Sequence, residues 1–162
     1  MNYLLYLFIT LTIFGLDQYT KKLVSILISE GSEVPIIKGF FNLVNVKNYG
    51  AGFSILQNQR VILILIPAII IILIIIYLFR HKDLSKFEIT SLLFILSGAC
   101  GNLFDRAFRG YVIDFFDFIF FGYHYPSFNV ADTFITVGAI MLIVYIIYKE
   151  RKHGKKEINS SN

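Results

Sequence analysis

The chain of 162 residues has no tryptophan, one cysteine, three prolines and three histidines, and only 16% of its residues are charged. Each shortage excludes something. Cys100 alone cannot close an intramolecular disulfide, and with no CxxC or Cys/His companion it cannot build a zinc site; a buried small residue inside an apolar run is its expected role. The histidines His81, His124 and His153 are scattered, and no HExxH helix or GxSxG elbow is present. A soluble domain carries roughly 25% charged residues. This chain has fewer, and 56% of it is hydrophobic, so lipid is the expected solvent. A net charge of +4, held in short segments, argues against a nucleic-acid partner.

What is present is apolar and helical in length. Four segments are read as spans: residues 3–20, 61–79, 89–108 and 130–148. The second is almost pure Ile and Leu, and at 1.5 Å per residue it reaches roughly 28 Å, close to a hydrocarbon core. Pro67 inside it is tolerable where neighbours satisfy the freed carbonyl. The first stretch lacks a basic n-region and an A-x-A site, so it is expected to remain as a helix. Residues 21–60 contain Val34-Pro35-Ile36-Ile37 and Phe40 to Val46, short β-branched or aromatic runs punctuated by Gly31, Gly39 and Gly50. They predict strands in a small extramembrane lobe. Residues 109–129 are expected to form an interfacial loop or short helix, and 149–162 a basic tail frayed at its end. The fold class is therefore mainly α: one polytopic membrane domain with four helices, a β-rich extracytoplasmic lobe and an interfacial segment.

Arg80, Lys82 and Lys86 between spans two and three, with five basic residues after span four, hold eight of the fifteen Lys and Arg. The positive-inside rule places both regions, and with them both termini, in the cytoplasm. Lys21 and Lys22 oppose this. In that topology the polar residues gather at the outer helix ends: Asp17, Asn48, Asn102, Asp105, Arg106, Asp114, Asp117, Asn129 and Asp132. Polar groups at membrane depth face the protein interior and mark working sites. Asn102, Asp105 and Arg106 share a helix face, as do Asn129, Asp132, Thr133 and Thr136, and Asp17 and Lys21 are an i, i+4 pair. Bland readings exist for several. Asp105 with Arg106 reads as a structural ion pair, Asp17 as a pin through Lys21, and Asp117 as a solvated interfacial carboxylate. His124 reads as an interfacial residue without a partner motif. Asp114 and Asp132 are harder to dismiss, because Asp132 has no cationic neighbour within one turn.

Two aspartates held close cannot both ionise. One draws a proton from water while the other donates to a scissile carbonyl, then the roles exchange. No metal is required. Spacing alone does not choose Asp114 with Asp132 over Asp105 with Asp132.

Five segments, in order, resemble the signature of the lipoprotein signal peptidases (signal peptidase II, peptidase family A8). They are Asp17-Gln18-Tyr19-Thr20-Lys21, Asn48-Tyr49-Gly50-Ala51-Gly52-Phe53, Gly98 to Arg106, Val112-Ile113-Asp114-Phe115 and Phe128-Asn129-Val130-Ala131-Asp132. Gly52 stands where alanine is usual, Cys100 where leucine is and Phe104 where isoleucine is. The resemblance implies an aspartic-type membrane endopeptidase without cofactor or metal. It would remove signal peptides from bacterial prolipoproteins just before a diacylglyceryl-modified cysteine. It assigns catalysis to Asp114 and Asp132, substrate or dyad orientation to Asn48, Asn102, Arg106 and Asn129, and structural roles to Asp17, Lys21 and Asp105. The outer lobe would be a cradle and the loop before Pro126 a lid. The expected partners are the lipidated prolipoprotein and membrane lipid, the expected state a monomer, and the expected location the bacterial cytoplasmic membrane with the active site near its outer face. A proton-coupled transporter is the rival reading, but it needs polar residues through the full depth, and the inner helix halves are nearly all apolar. A scaffold leaves the polar cluster unexplained, and neither Asp114 nor Asp132 sits in a GxGD motif.

Overall fold

A computed structural model of the protein describes residues 3–51 and 55–160, with side chains of the last helix followed to Lys152. Gly52 and Phe53 of the second motif, and the side chain of His153, lie outside the described residues. Four helices and four strands follow in the order α1 (Tyr3–Leu27), β1 (Glu33–Ile37), β2 (Phe41–Asn48), α2 (Arg60–Arg80), α3 (Lys86–Phe108), β3 (Val112–Phe120), β4 (Tyr123–His124) and α4 (Val130–Ser160). The strands form one antiparallel sheet in the order β1-β2-β3-β4.

Among the described residues, three helices are long and apolar enough to cross a membrane: α2, α3 and residues 130–152 of α4. Their burial separates their roles. Of the most apolar window, 61% is buried in α3 but only 11% in α2 and 17% in α4, so α3 is the central helix and the other two turn Ile and Leu outward. Such a surface suits lipid, not water. The α2–α3 seam is closed by Ile74, Leu78, Ile89, Leu92, Leu93 and Leu96, with half-buried Cys100 packed against it. Glycine brings α3 and α4 into backbone contact: a Cβ at Gly98 would collide with the Ala131 carbonyl, and one at Gly138 would sit 2.7 Å from the Ser91 carbonyl. Small residues let helices approach in this way where hydrophobic burial gives no drive.

The predicted strands in 34–46 are present, paired as β1 and β2. Residues 109–129 differ from the expectation. In place of a loop or short helix they contribute β3 and β4, because Val112-Ile113-Asp114-Phe115-Phe116 is β-branched and aromatic and finds β2 as a partner: Asn48 opposite Val112, Phe41 opposite Phe118. Two helices outrun their expected ends. α1 continues past Thr20 to Leu27, and α4 past Tyr148 to Ser160. Lys21, one residue past the expected end of the span, is fully buried among helix partners. Val24 and Ile28 then pack on Ile113 and Phe115, fastening the sheet to the end of α1.

Candidate active site

The first turn of α4 builds one wall. Asn129 precedes the helix, and its Oδ1 accepts from the Asp132 N–H at 2.9 Å, while Asp132 Oδ2 accepts from the Asn129 N–H at 3.2 Å. This reciprocal pair is a capping box, satisfying two helix-end donors at once. The geometry leaves two groups over. The Asn129 Nδ2 donates to Asp114 Oδ1 at 2.7 Å, and Asp132 Oδ1 accepts from Asn102 Nδ2 at 2.7 Å. Asp114 comes from β3, where Asn48 of β2 donates to its Oδ2 at 2.8 Å. Asp114 and Asp132 thus line the same cavity of about 380 Å³, together with Asn48, Asn102, Arg106 and the Tyr125–Phe128 segment. That segment is tied to β3 through Tyr125 N–H to Phe118 O and Phe128 N–H to Phe116 O.

Asp114 is buried. Burial pushes its carboxyl up, and the charge of Asp132 adds to this, to about 7; the amides of Asn48 and Asn129 and the field of Lys21 act in the opposite direction. Arg106 donates to the Gly50 carbonyl at 2.7 Å, and its Nε is buried without a partner among the described residues.

Beneath the cavity lies a buried ionic cluster. Lys21 Nζ donates to Asp17 Oδ2 at 2.8 Å, Asn102 Oδ1 at 2.9 Å and Asp105 Oδ2 at 2.6 Å. Asp17 Oδ1 accepts from the Ala131 N–H, and a Cβ at Gly101 would lie 2.6 Å from Asp17 Oδ2. Three helices are therefore pinned at the end that carries the sheet. Asn102 joins the cluster to the cavity, accepting from Lys21 and donating to Asp132.

All nine residues singled out as site or structural polar positions fall in this region, and three pairings differ from expectation. Asp105 does not pair with Arg106; it pairs with Lys21 and with Arg109 one turn on, since consecutive helix positions do not face each other. Asp117 is not a solvated carboxylate: it is buried and bonded by Asn42 and His124. His124, read as partnerless, is its partner across the β3–β4 turn. Sequence reasoning also missed the cap, although Asn129-x-x-Asp132 before an apolar run is its signature. It missed Glu88 as well, buried at the opposite end of α3 and accepting from the Tyr77 hydroxyl at 2.8 Å. Among the described residues, no three His, Cys, Asp or Glu side chains converge to hold an ion.

The peptidase A8 family, signal peptidase (SPase) II, matches residues 9–148. A lipoprotein signal peptidase of Clostridium novyi is 40% identical over 142 residues, 86% of this chain and 96% of that protein. One from Halalkalibacterium halodurans is 38% identical over 157 residues, 97% of this chain and 100% of that protein. Among solved structures, a bacterial membrane enzyme determined in meso at 2.3 Å superposes with a TM-score of 0.83 at 29% identity, covering 90% of this chain and 88% of that one. Another, determined at 1.9 Å, gives 0.78 at 30% identity, with 87% and 91% covered. Nothing in these likenesses supports the transporter alternative. The match to the family runs through every segment that builds the cavity, and this chain belongs to the signal peptidase II family.

Proposed function

We propose that the protein removes the signal peptide of bacterial prolipoproteins, cutting just before a diacylglyceryl-modified cysteine, with Asp114 and Asp132 as a water-activating pair. The observation that carries this reading is the pair itself: two carboxylates from different elements, on one cavity, each held by asparagine amides and linked through Asn129. The pair shares one proton. The ionised member takes a proton from water, which attacks the scissile carbonyl carbon. The neutral member donates to the carbonyl oxygen, and the proton passes on to the leaving amine as the C–N bond breaks. The two titrate as a unit. Asn48, Asn102 and Asn129 orient the carboxylates, and the unpartnered Arg106 Nε is a donor available to a substrate carbonyl.

In this reading α1 is the fourth span and the protein is a monomer in the bacterial cytoplasmic membrane. Arg80, Lys82 and Lys86 mark the cytoplasmic side, so both termini are cytoplasmic and the sheet and cavity lie at the outer face, where a lipid-anchored cysteine holds its peptide bond. Lipid chains of the substrate lie along the helices. Engineered cysteines in residues 31–51, after Cys100 is replaced, are expected to react with an impermeant thiol reagent from outside the cell; reaction only from the cytoplasm overturns the orientation.

The deciding experiment is cleavage of a synthetic prolipoprotein peptide by purified protein, with and without diacylglyceryl on its cysteine. Cutting before the lipidated cysteine, unaffected by chelators, is expected. Failure of folded protein to cut overturns the reading.

A further inference from the structure

The β3–β4 connection is chemically out of character for its geometry. Phe120 pairs with Tyr123, leaving Phe121 and Gly122 as a two-residue turn with φ of +52° and +83°. Turns with positive φ at both central residues favour Asn-Gly or Asp-Gly. A bulky aromatic residue at the first position is an outlier, because its Cβ crowds the backbone there. Phe121 gains nothing inside the protein in return: it is 102% exposed. Strain kept at a fully exposed apolar side chain points to a contact outside the chain.

The surroundings say which. Phe120 and Tyr123 flank the turn and are exposed, and the β1–β2 turn beside it brings Phe40, whose ring meets Phe120 at 5.9 Å. Exposed Ile37 and Lys38 complete the edge. The sheet packs on the end of α1 through Ile113 and Phe115, near the opposite end of β3 (Val112–Phe120) from this aromatic tip. Aromatic rings with a lysine able to reach a phosphate form the composition of a membrane–water interface, and α2 and α4 already turn an apolar surface outward in the same chain.

We propose that the β3–β4 hairpin tip, with Phe121 at its apex, is immersed in the lipid interface of the bilayer that holds the helices, as a foot bracing the sheet that carries Asp114. The proposal rests on residence in a bilayer and not on the dyad, so activity of the same sample separates the two.

The absence of tryptophan makes a direct test possible, since Phe121→Trp creates a lone reporter. In proteoliposomes its emission is expected to be blue-shifted and quenched several-fold more by acyl-brominated phosphatidylcholine than by aqueous iodide. Tyr123→Trp provides the same readout should the first variant misfold. Solvent-like emission with strong iodide quenching overturns the proposal. So does protection that appears only at high protein-to-lipid ratio, which assigns the patch to a second copy. Phe121→Gly, which suits the turn, is expected to remain folded in detergent and to lose cleavage several-fold in liposomes but not in detergent; equal activity in both media overturns the bracing role.

Discussion

Asn129 and Asp132 cap each other across the first turn of α4, and the same two side chains reach out to Asp114 and Asn102. The helix start and the candidate catalytic pair are therefore one structure. In the proposed mechanism, Asn in place of either aspartate removes a proton carrier, and loss of a general acid or base is worth about 10²–10⁴-fold in rate. Both Asp114→Asn and Asp132→Asn are expected to lose at least that much kcat. Only Asp132→Asn should also lower the melting temperature, because it weakens a cap worth about 0.5–2 kcal/mol. Turnover and thermal unfolding of both variants in detergent check this.

The proton on Asp114 gives a pH signature. In the fold the carboxyl keeps its proton up to about 7, whereas in the unfolded chain it ionises near 4. Between those values the folded state binds more protons, so this group's contribution to stability is full below about 4 and is lost as pH rises through about 7. Asp114→Asn has no such slope, and its melting temperature should gain on the parent between pH 5 and pH 8. In the proposed mechanism, turnover should fall above about pH 7, as the proton shared by Asp114 and Asp132 leaves. A pH–rate profile and paired melts measure both.

Lys21 neutralises two buried carboxylates and holds Asn102. Lys21→Met leaves Asp17 and Asp105 short of a counter-charge, a change that costs about 3–5 kcal/mol in buried pairs. The variant is expected to unfold at markedly lower temperature, and to lose activity by unfolding and not through KM.

The glycines divide sharply. Gly98→Ala pushes a methyl group into the Ala131 carbonyl, and overpacking of this kind costs about 1–3 kcal/mol. Gly15→Ala on α1 meets nothing within 4 Å and should gain about 0.5–1 kcal/mol from helix propensity. Parallel melts should move in opposite directions.

The helices and the polar positions were legible in the sequence because long apolar runs and isolated membrane carboxylates are strong local signals. Strand β3 was not: its aromatics read equally well as an interfacial segment, and its partner β2 lies more than sixty residues earlier, so only tertiary pairing decides. The same distance hid Lys21 from Asp105, and made the adjacent Arg106 look like the natural partner. His124 and Asp117 meet only because a two-residue turn folds one strand onto the other. Local periodicity carries which face a residue occupies; it does not carry what arrives at that face from elsewhere.

The ionic cluster bears on how the chain is assembled during synthesis. Asp17 has Lys21 one turn ahead of it, and Asp105 has Arg109. Each helix thus brings its own counter-ion and emerges from the ribosome nearly neutral along that face, so α1 does not have to wait as a bare charge for α3 to be made. When α3 arrives, Lys21 turns from a private partner of Asp17 into one shared with Asp105, and α1 and α3 are locked in register by a counter-ion that α1 already carried.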